Sequence, residues 1–380
     1  MPCLAFARQS ATELTAGSTE LTGFPDVAIV GGGIVGCAAA AFLAEGGARV
    51  ELFERDELAA AASGRNSGSI QHPFDPVLAQ LHVETLRHYR ELRGFELPER
   101  PAGVLMLGRG RAALAAAAAG IERDWPELEP TLLGGRVLHE LEPGLGPRLW
   151  ACRLETGYPV RPAAATLAFA ARARRAGALL HEGRPAWPWV RGGRTRGLIV
   201  GHEHCAAGSI LVAAGPWAPE VIDPTRVWRP IVPVWGLVLE VALADPPRHV
   251  LEEAGVKEVA AGGPGSLFSL VASNGAVSVG STFLAEEPDT EEWVGVVREA
   301  GERFVPGLAG AAVVRTRTCA RPQSFDGRPL VGPVGDVEGI WIAAGHGPWG
   351  ISAGPATARL AADALLGRAE VPAALAAARE

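Results

Sequence analysis

The residues with the most chemical content lie between positions 27 and 54. In the run Val27-Ala28-Ile29-Val30-Gly31-Gly32-Gly33-Ile34-Val35-Gly36-Cys37, glycines fall in the spacing G-x-G-x-x-G between an apolar strand and an Ala-rich helix. In a dinucleotide cradle Gly31 permits the tight turn out of the strand and Gly33 lets the backbone approach a pyrophosphate. Gly36 lets the helix pack close to the sheet. Ile34 and Val35 open that helix, whose free N–H groups and positive dipole end suit phosphate. A second apolar stretch, residues 48 to 53, ends at Glu54, 23 residues beyond Gly31. A βαβ unit sets a carboxylate there against ribose hydroxyls. The glycine spacing alone also fits a turn that binds nothing, and it is the flanking strands and the acid that favour the cradle.

Such a cradle needs a parallel sheet behind it, and the chain offers further pieces of one. Residues 209 to 215 are apolar and end in glycine; residues 339 to 344 are followed by a glycine turn and a helix from about 351 to 366. Helical periodicity also runs through Leu78, Leu81, Leu86, Tyr89 and Leu92, and through residues 167 to 176. Residues 103 to 107 read as a strand, an Ala-rich helix begins at Arg111, and Gly192-Gly193 turns between two short strands. From 230 to 317 the pattern changes to alternating β-branched segments (232 to 241, 275 to 281, 312 to 318) with a helix over 291 to 303. The expected fold is α/β, a discontinuous Rossmann-type domain with an inserted, mainly antiparallel β-rich domain. The expected boundaries give 24–90, 150–226 and 320–370 to the first, and 91–149 and 227–319 to the second. Residues 1–23 are expected to be a poorly ordered leader.

The 380 residues give room for two domains, and 35 basic against 42 acidic residues leave a net charge of −7 with no basic stripe, so nucleic acid is not an expected partner. Lys257 is the only lysine. The five scattered cysteines lack CxxC spacing, which points to a reducing, cytoplasmic setting rather than a disulfide framework. The first 23 residues lack a secretory apolar core and a twin arginine, and no window reaches the ~18 apolar residues of a membrane span. The cluster His202-Glu203-His204-Cys205 is expected in a hairpin turn, without the further ligands a metal needs.

Three more glycine-containing elements accompany the cradle: Ala62-Ser63-Gly64-Arg65-Asn66-Ser67-Gly68-Ser69-Ile70, Val212-Ala213-Ala214-Gly215-Pro216-Trp217, and Ala343-Ala344-Gly345-His346-Gly347-Pro348-Trp349-Gly350-Ile351. Together they resemble the D-amino-acid-oxidase-like superfamily of FAD-dependent oxidoreductases, which includes glycine oxidase, sarcosine oxidases and amino-acid dehydrogenases. The resemblance spans about residues 25 to 366. It implies FAD as cofactor, with Glu54 and Arg55 at the AMP ribose, and Ala62, Ser63, Ser67, Gly68 and Ser69 around the pyrophosphate and beside the isoalloxazine. Arg65 and Asn66 would fix the loop or meet phosphate, a solvated surface group being the competing reading of Arg65. The backbone of Ala186 would meet the adenine, and Gly215 would lie in the second element's turn. His346, Gly347, Pro348, Trp349, Gly350 and Ile351 would form the turn whose N–H groups and helix dipole face the pyrimidine end of the flavin. His346 reads either as an added donor or as a packing residue.

The same resemblance implies a carboxylate clamp at Arg321, five residues before Asp326, where a guanidinium matches a substrate carboxylate in a planar, bidentate way. A buried structural ion pair is the competing reading. Cys319 falls where some sarcosine-oxidase-like relatives attach FAD through sulfur, yet Arg321 two residues on resembles relatives that hold it noncovalently. A plain buried cysteine is the default. His72 can be read as a base near the flavin or as structural. Trp228, Trp235, Phe268 and Phe283 are candidates to line the pocket. The lysines and the clamp tyrosine of some relatives have no counterpart. The expected activity is hydride removal from the C–N bond of an amino acid or secondary amine, giving an imine that hydrolyses, with oxygen or another electron acceptor. A homo-oligomer or a partner subunit is possible. Alternatives are C–O oxidation of a 2-hydroxy acid, a flavoprotein subunit of a hetero-oligomer, or a flavin-free NAD enzyme.

Overall fold

Short β-branched runs bounded by glycine make buried parallel strands when both faces are covered. In a computed structural model describing residues 24–255, 265–335 and 337–379, they do so here. The leader and Lys257 lie outside those residues. Among the described residues one six-stranded sheet has the spatial order Leu330–Pro333, Ile340–Ala344, Ser209–Val212, Val27–Val30, Val50–Phe53, Leu179–His181. All its pairings are parallel except that of Leu330–Pro333 with Ile340–Ala344. The first strand and the cradle glycines therefore sit mid-sheet, at the carboxyl ends of parallel strands, where open α/β sheets bind ligands.

The cradle helix, Ile34–Glu45, is buried on every side from Ile34 to Leu43, because helices Ala164–Arg175 and Gly350–Leu365 pack against it. Its alanines allow that close approach, and Phe42 fills the seam against Phe169 at 5.7 Å between ring centroids. A long helix, Pro76–Arg90, packs on Gly350–Leu365. Asp75 caps it by accepting from the Val77 and Leu78 N–H groups, and Arg328 pairs with that carboxylate at 2.9 Å.

The inserted region forms an eight-stranded sheet in the order Ala312–Ser324, Ile231–Ala242, Ala276–Phe283, Gly265–Ser273, Val250–Glu253, Val104–Gly108, Trp150–Leu154, Thr131–Gly134. It is antiparallel apart from Val250–Glu253 beside Val104–Gly108. Helix Thr290–Glu302 covers one face, where Phe268 stacks on Phe304 at 4.9 Å. The opposite face looks toward the first sheet. Two details differ from the sequence reading. Trp150–Leu154, placed on the cofactor side by the boundary at 150, pairs with Val104–Gly108 in this second sheet. Its alternating apolar residues suit either sheet, so only long-range pairing decides. Glu203 to Cys205 lie in strand Glu203–Ala206 rather than in the turn before it, and His204 stacks on Trp189. Among the described residues no cluster is suited to a metal.

Candidate active site

One cavity runs between the sheets from Glu54 and Arg55 at one end to Arg321 and Glu252 at the other. Its first end is built from backbone. Gly31 has φ +112°, and a Cβ there would meet the Ala213 carbonyl oxygen at 2.5 Å. A Cβ on Gly36 would lie 1.9 Å from the Gly31 oxygen, so both positions exclude any side chain. Gly36 thus shapes the cradle from behind, while Gly31, Gly33, Ile34 and Val35 line the cavity. Glu54 closes the loop, accepting from the Gly32 N–H at 2.6 Å and the Asp56 N–H at 3.0 Å. Each carboxylate oxygen keeps a lone pair for a ribose hydroxyl. Arg55 lies 4.1 Å over the Trp217 ring, and Ala186 and Gly215 join the wall.

Ala62, Ser63, Asn66, Ser67 and Ser69 line the next stretch. Ser63 Oγ accepts from the Ile34 N–H at 2.9 Å. Asn66 is spent on the loop itself, donating to the Ala62 and Ser63 carbonyls and accepting from the Gly68 N–H. Ser69 Oγ is buried with no partner among the described residues, an orphaned polar atom on the cavity wall that a bound polar group would satisfy. Gly68 lies behind the wall, and Arg65 is exposed and donates to the Thr318 carbonyl at 3.3 Å. The phosphate role for Arg65 is therefore not what its side chain does here; it ties the loop to the second sheet.

In the middle, His346, Gly347, Pro348, Trp349, Gly350 and Ile351 bring the start of helix Gly350–Leu365 to the cavity. Gly347 has φ +53° and no room for a Cβ beside Gln323. Burial lowers the His346 pKa to about 4, so the ring is neutral. The Thr357 hydroxyl donates to the Ala353 carbonyl, so its oxygen accepts from His346 Nε2–H at 3.0 Å. That proton is committed to the helix, which answers the question of an extra donor. The helix carries Pro355, whose missing N–H leaves the Ile351 carbonyl without its usual partner. Tyr89 on helix Pro76–Arg90 donates its hydroxyl there at 2.7 Å. On the same face His82 donates to the Ser352 carbonyl and Thr85 accepts from the Ala356 N–H. Three side chains thus splice the helix start that meets the cavity, a feature the apolar periodicity of this segment did not reveal.

Side chains build the far end. Arg321 lies along the sheet, donating to the Thr282 carbonyl at 2.8 Å and to Ser281 Oγ, with its guanidinium 4.7 Å over the Phe283 ring. Gly236 makes this possible, since a Cβ there would sit 2.5 Å from the guanidinium. Among the described residues Arg321 has no carboxylate partner, so the ion-pair reading does not hold. On the same sheet, Glu252 accepts from Gln71 Nε2 at 2.7 Å, and burial raises its pKa. Neither Glu252 nor Gln71 stood out in sequence, because nothing local marks a strand acid as facing a cavity. Cys319 lines the wall as a thiol whose pKa burial raises. Phe268 and Phe283 line it too, whereas Trp228 and Trp235 do not. His72 is not brought to the cavity. It is buried among Phe74, His82 and Trp125, its backbone N–H donates to Thr156 Oγ1, and burial lowers its pKa. The base role proposed for it has no geometric support.

A parallel sheet with a glycine cradle, a distal β-sheet wall and a cavity joining them define a dinucleotide-dependent oxidoreductase. The family model described as FAD dependent oxidoreductase matches residues 26–364, and the chain belongs to that family. It is 28% identical to glycine oxidase of Pseudomonas aeruginosa, across 90% of this chain and 95% of that protein. It is also 28% identical to a D-amino acid dehydrogenase of Cereibacter sphaeroides, across 77% and 67%. Among solved structures, iminodiacetate oxidase from Chelativorans sp. superposes with TM-score 0.79 at 27% identity, covering 92% of this chain and 98% of that one. The cofactor is FAD, and the residues present fit it: a cradle that any Cβ would fill, the Glu54 carboxylate at its mouth and the orphaned Ser69 hydroxyl along the wall.

Proposed function

We propose that this protein oxidises the C–N bond of an amino acid or secondary amine, and that Arg321 binds the substrate carboxylate. The observation that carries this is a half-buried guanidinium on the cavity wall with no carboxylate partner among the described residues. A cation partly withdrawn from water without a counter-ion is costly, and a bound carboxylate offsets that cost. Ser281, Thr282 and Phe283 fix the guanidinium, so little rotamer freedom is lost when an anion arrives. Bound FAD supplies a two-electron acceptor for the hydride leaving the substrate α-carbon. The nucleotide half would hold the cofactor through Gly31, Gly33, Glu54, Ser63 and Ser69, with the Gly350 helix start facing its ring system. The wall of Phe283 and Cys319 limits water at the reacting carbon, and the imine product hydrolyses after release.

The two sheets divide the labour, cofactor on the first and substrate on the second. Oxygen or another acceptor would reoxidise the protein, alone or with a partner subunit. The four described cysteines are unpaired, which supports a reducing compartment such as the cytoplasm. The test is anaerobic mixing of the yellow holoprotein with D- and L-amino acids, N-methyl amino acids and 2-hydroxy acids. Bleaching by amines with oxo-acid formation is expected; bleaching by hydroxy acids alone would replace this reading with C–O oxidation.

A further inference from the structure

Resting on the C–N reading, we propose that Glu252 is the second pole of the substrate site: its carboxylate receives the substrate's ammonium group and takes one proton from it. The cavity would then accept zwitterionic amino acids directly, with the carboxylate on Arg321 and the ammonium on Glu252.

Four observations carry this. Glu252 lines the same cavity as Arg321, and the strand pairing sets it directly opposite Ser269, another wall residue. Among the described residues only one of its oxygens has a partner, Gln71 Nε2, and that bond orients the carboxylate without neutralising it. Among the described residues no cation pairs with it, although its neighbour Glu253 is satisfied on the other side by the Phe268 N–H. The spacing also suits an amino acid. The Arg321 guanidinium is anchored on strand Ala276–Phe283, and Glu252 lies two strands away, roughly 10 Å at the usual strand separation. Subtracting two contacts of about 2.8 Å leaves roughly 4 Å, the scale of the ammonium-to-carboxylate separation in a small amino acid.

Hydride loss requires a nitrogen lone pair, so an ammonium must first lose a proton. In the step proposed an N–H bond breaks, an O–H bond forms on Glu252, and no electrons change carrier. The proton passes to water after product leaves. Burial raises the carboxyl pKa toward that of a useful base, which favours this transfer over one to an ordinary exposed carboxylate. Among the described residues the other titratable groups on this part of the wall are Arg321, Cys319 and His346; Arg321 stays cationic and burial keeps Cys319 a thiol and His346 neutral. Glu54, Arg55, Asp56 and Glu220 belong to the nucleotide end.

The experiment compares wild type, Glu252→Gln and Glu252→Asp as flavin-loaded proteins, with N-methylglycine or whichever panel amino acid is turned over, and with propanoate as a carboxylate lacking nitrogen. For wild type, kcat/KM is expected to be flat from the substrate amine's pKa down to that of Glu252. Glu252→Gln retains a partner for Gln71 and is expected to lose about 100-fold in kcat/KM near neutral pH. Its kcat/KM would then climb about tenfold per pH unit toward the amine's pKa, since it must wait for free amine. Propanoate should bind Glu252→Gln no more weakly than wild type, read from the flavin spectrum, because Arg321 holds it and the variant lacks the like charge of Glu252. Glu252→Asp should keep the flat profile at lower kcat/KM. A Glu252→Gln protein with the wild-type pH profile and KM would overturn the proposal while leaving C–N oxidation standing. A wild type that oxidises hydroxy acids and no amine would instead remove the reading beneath it.

Discussion

The two ends of the cavity are made of different material. At the nucleotide end backbone does the work: Gly31 and Gly36 have no space for a Cβ, and the side chains of Glu54, Ser63 and Asn66 mostly hold the loops themselves. At the proposed substrate end the backbone is ordinary sheet, and the groups that would select substrate, Arg321, Glu252 and Phe283, are side chains borne on three different strands. A common cofactor can be held by a fixed cradle, while substrate choice is left to side chains that can change without disturbing it. Substitutions at the first end should therefore cost fold and flavin together, and those at the second should cost turnover alone.

The largest expected effect is from Gly36→Val. Its Cβ would collide with the Gly31 carbonyl, so we expect loss of bound flavin and destabilisation of about 4 kcal/mol, measured by flavin content and the urea midpoint. A yellow, stable Gly36→Val protein would break the comparison. Next comes acid. Burial holds His346 and His82 at about 4, below the 6.5 of an unfolded histidine. The unfolded chain therefore binds protons first as pH falls. Stability from these groups is whole above about pH 6.5 and declines toward pH 4, by on the order of 3 kcal/mol per histidine at the limit. Urea midpoints at about pH 7 and pH 5 should show the decline, and a flat profile would contradict it.

Tyr89→Phe leaves the Ile351 carbonyl unpartnered above Pro355, which should lower stability by about 1–2 kcal/mol and shift the flavin spectrum. An unchanged melting temperature and spectrum would mean that the splice is idle. His72→Phe sharpens the boundary of the substrate end. Because His72 lies off the cavity, kcat/KM should stay within about threefold of wild type, where loss of a true base would cost 100-fold or more. The smallest effect is expected at Cys319→Ser: acid precipitation should release flavin from variant and wild type alike, whereas flavin retained only by the wild-type pellet would establish a thioether.

How far each end was legible in sequence follows from the same contrast. The cradle could be read because its demands are local: three glycines, two flanking strands and an acid at fixed spacing. Arg321 was reachable only through the resemblance of its surrounding run. Glu252 and Gln71 lie 181 positions apart and meet through sheet pairing, so no window contains their relation. His72 misled because proximity in sequence to Ser67-Gly68 does not fix direction; the chain turns it into an aromatic cluster. Of the two roles read for Arg65, the loop-fixing one is what its side chain performs, since a loop arginine beside a phosphate site can reach out to the neighbouring sheet. Trp150–Leu154 was assigned to the wrong sheet because a short alternating strand carries no mark of its partner. The helix periodicity at Leu78 to Leu92 was real, but its polar residues proved the more informative, as His82, Thr85 and Tyr89 mend the Pro355 break.

The central claim is that flavin is held at one end and the substrate carboxylate at the other by separate machinery. The most direct measurement is an anaerobic absorbance titration of wild type beside Arg321→Ala with the best amino-acid substrate. Both proteins should carry the same flavin complement, the wild type should bleach at low substrate concentration, and Arg321→Ala should need about 100-fold more. A variant that bleaches at the wild-type concentration, or one that loses its flavin, would contradict the account.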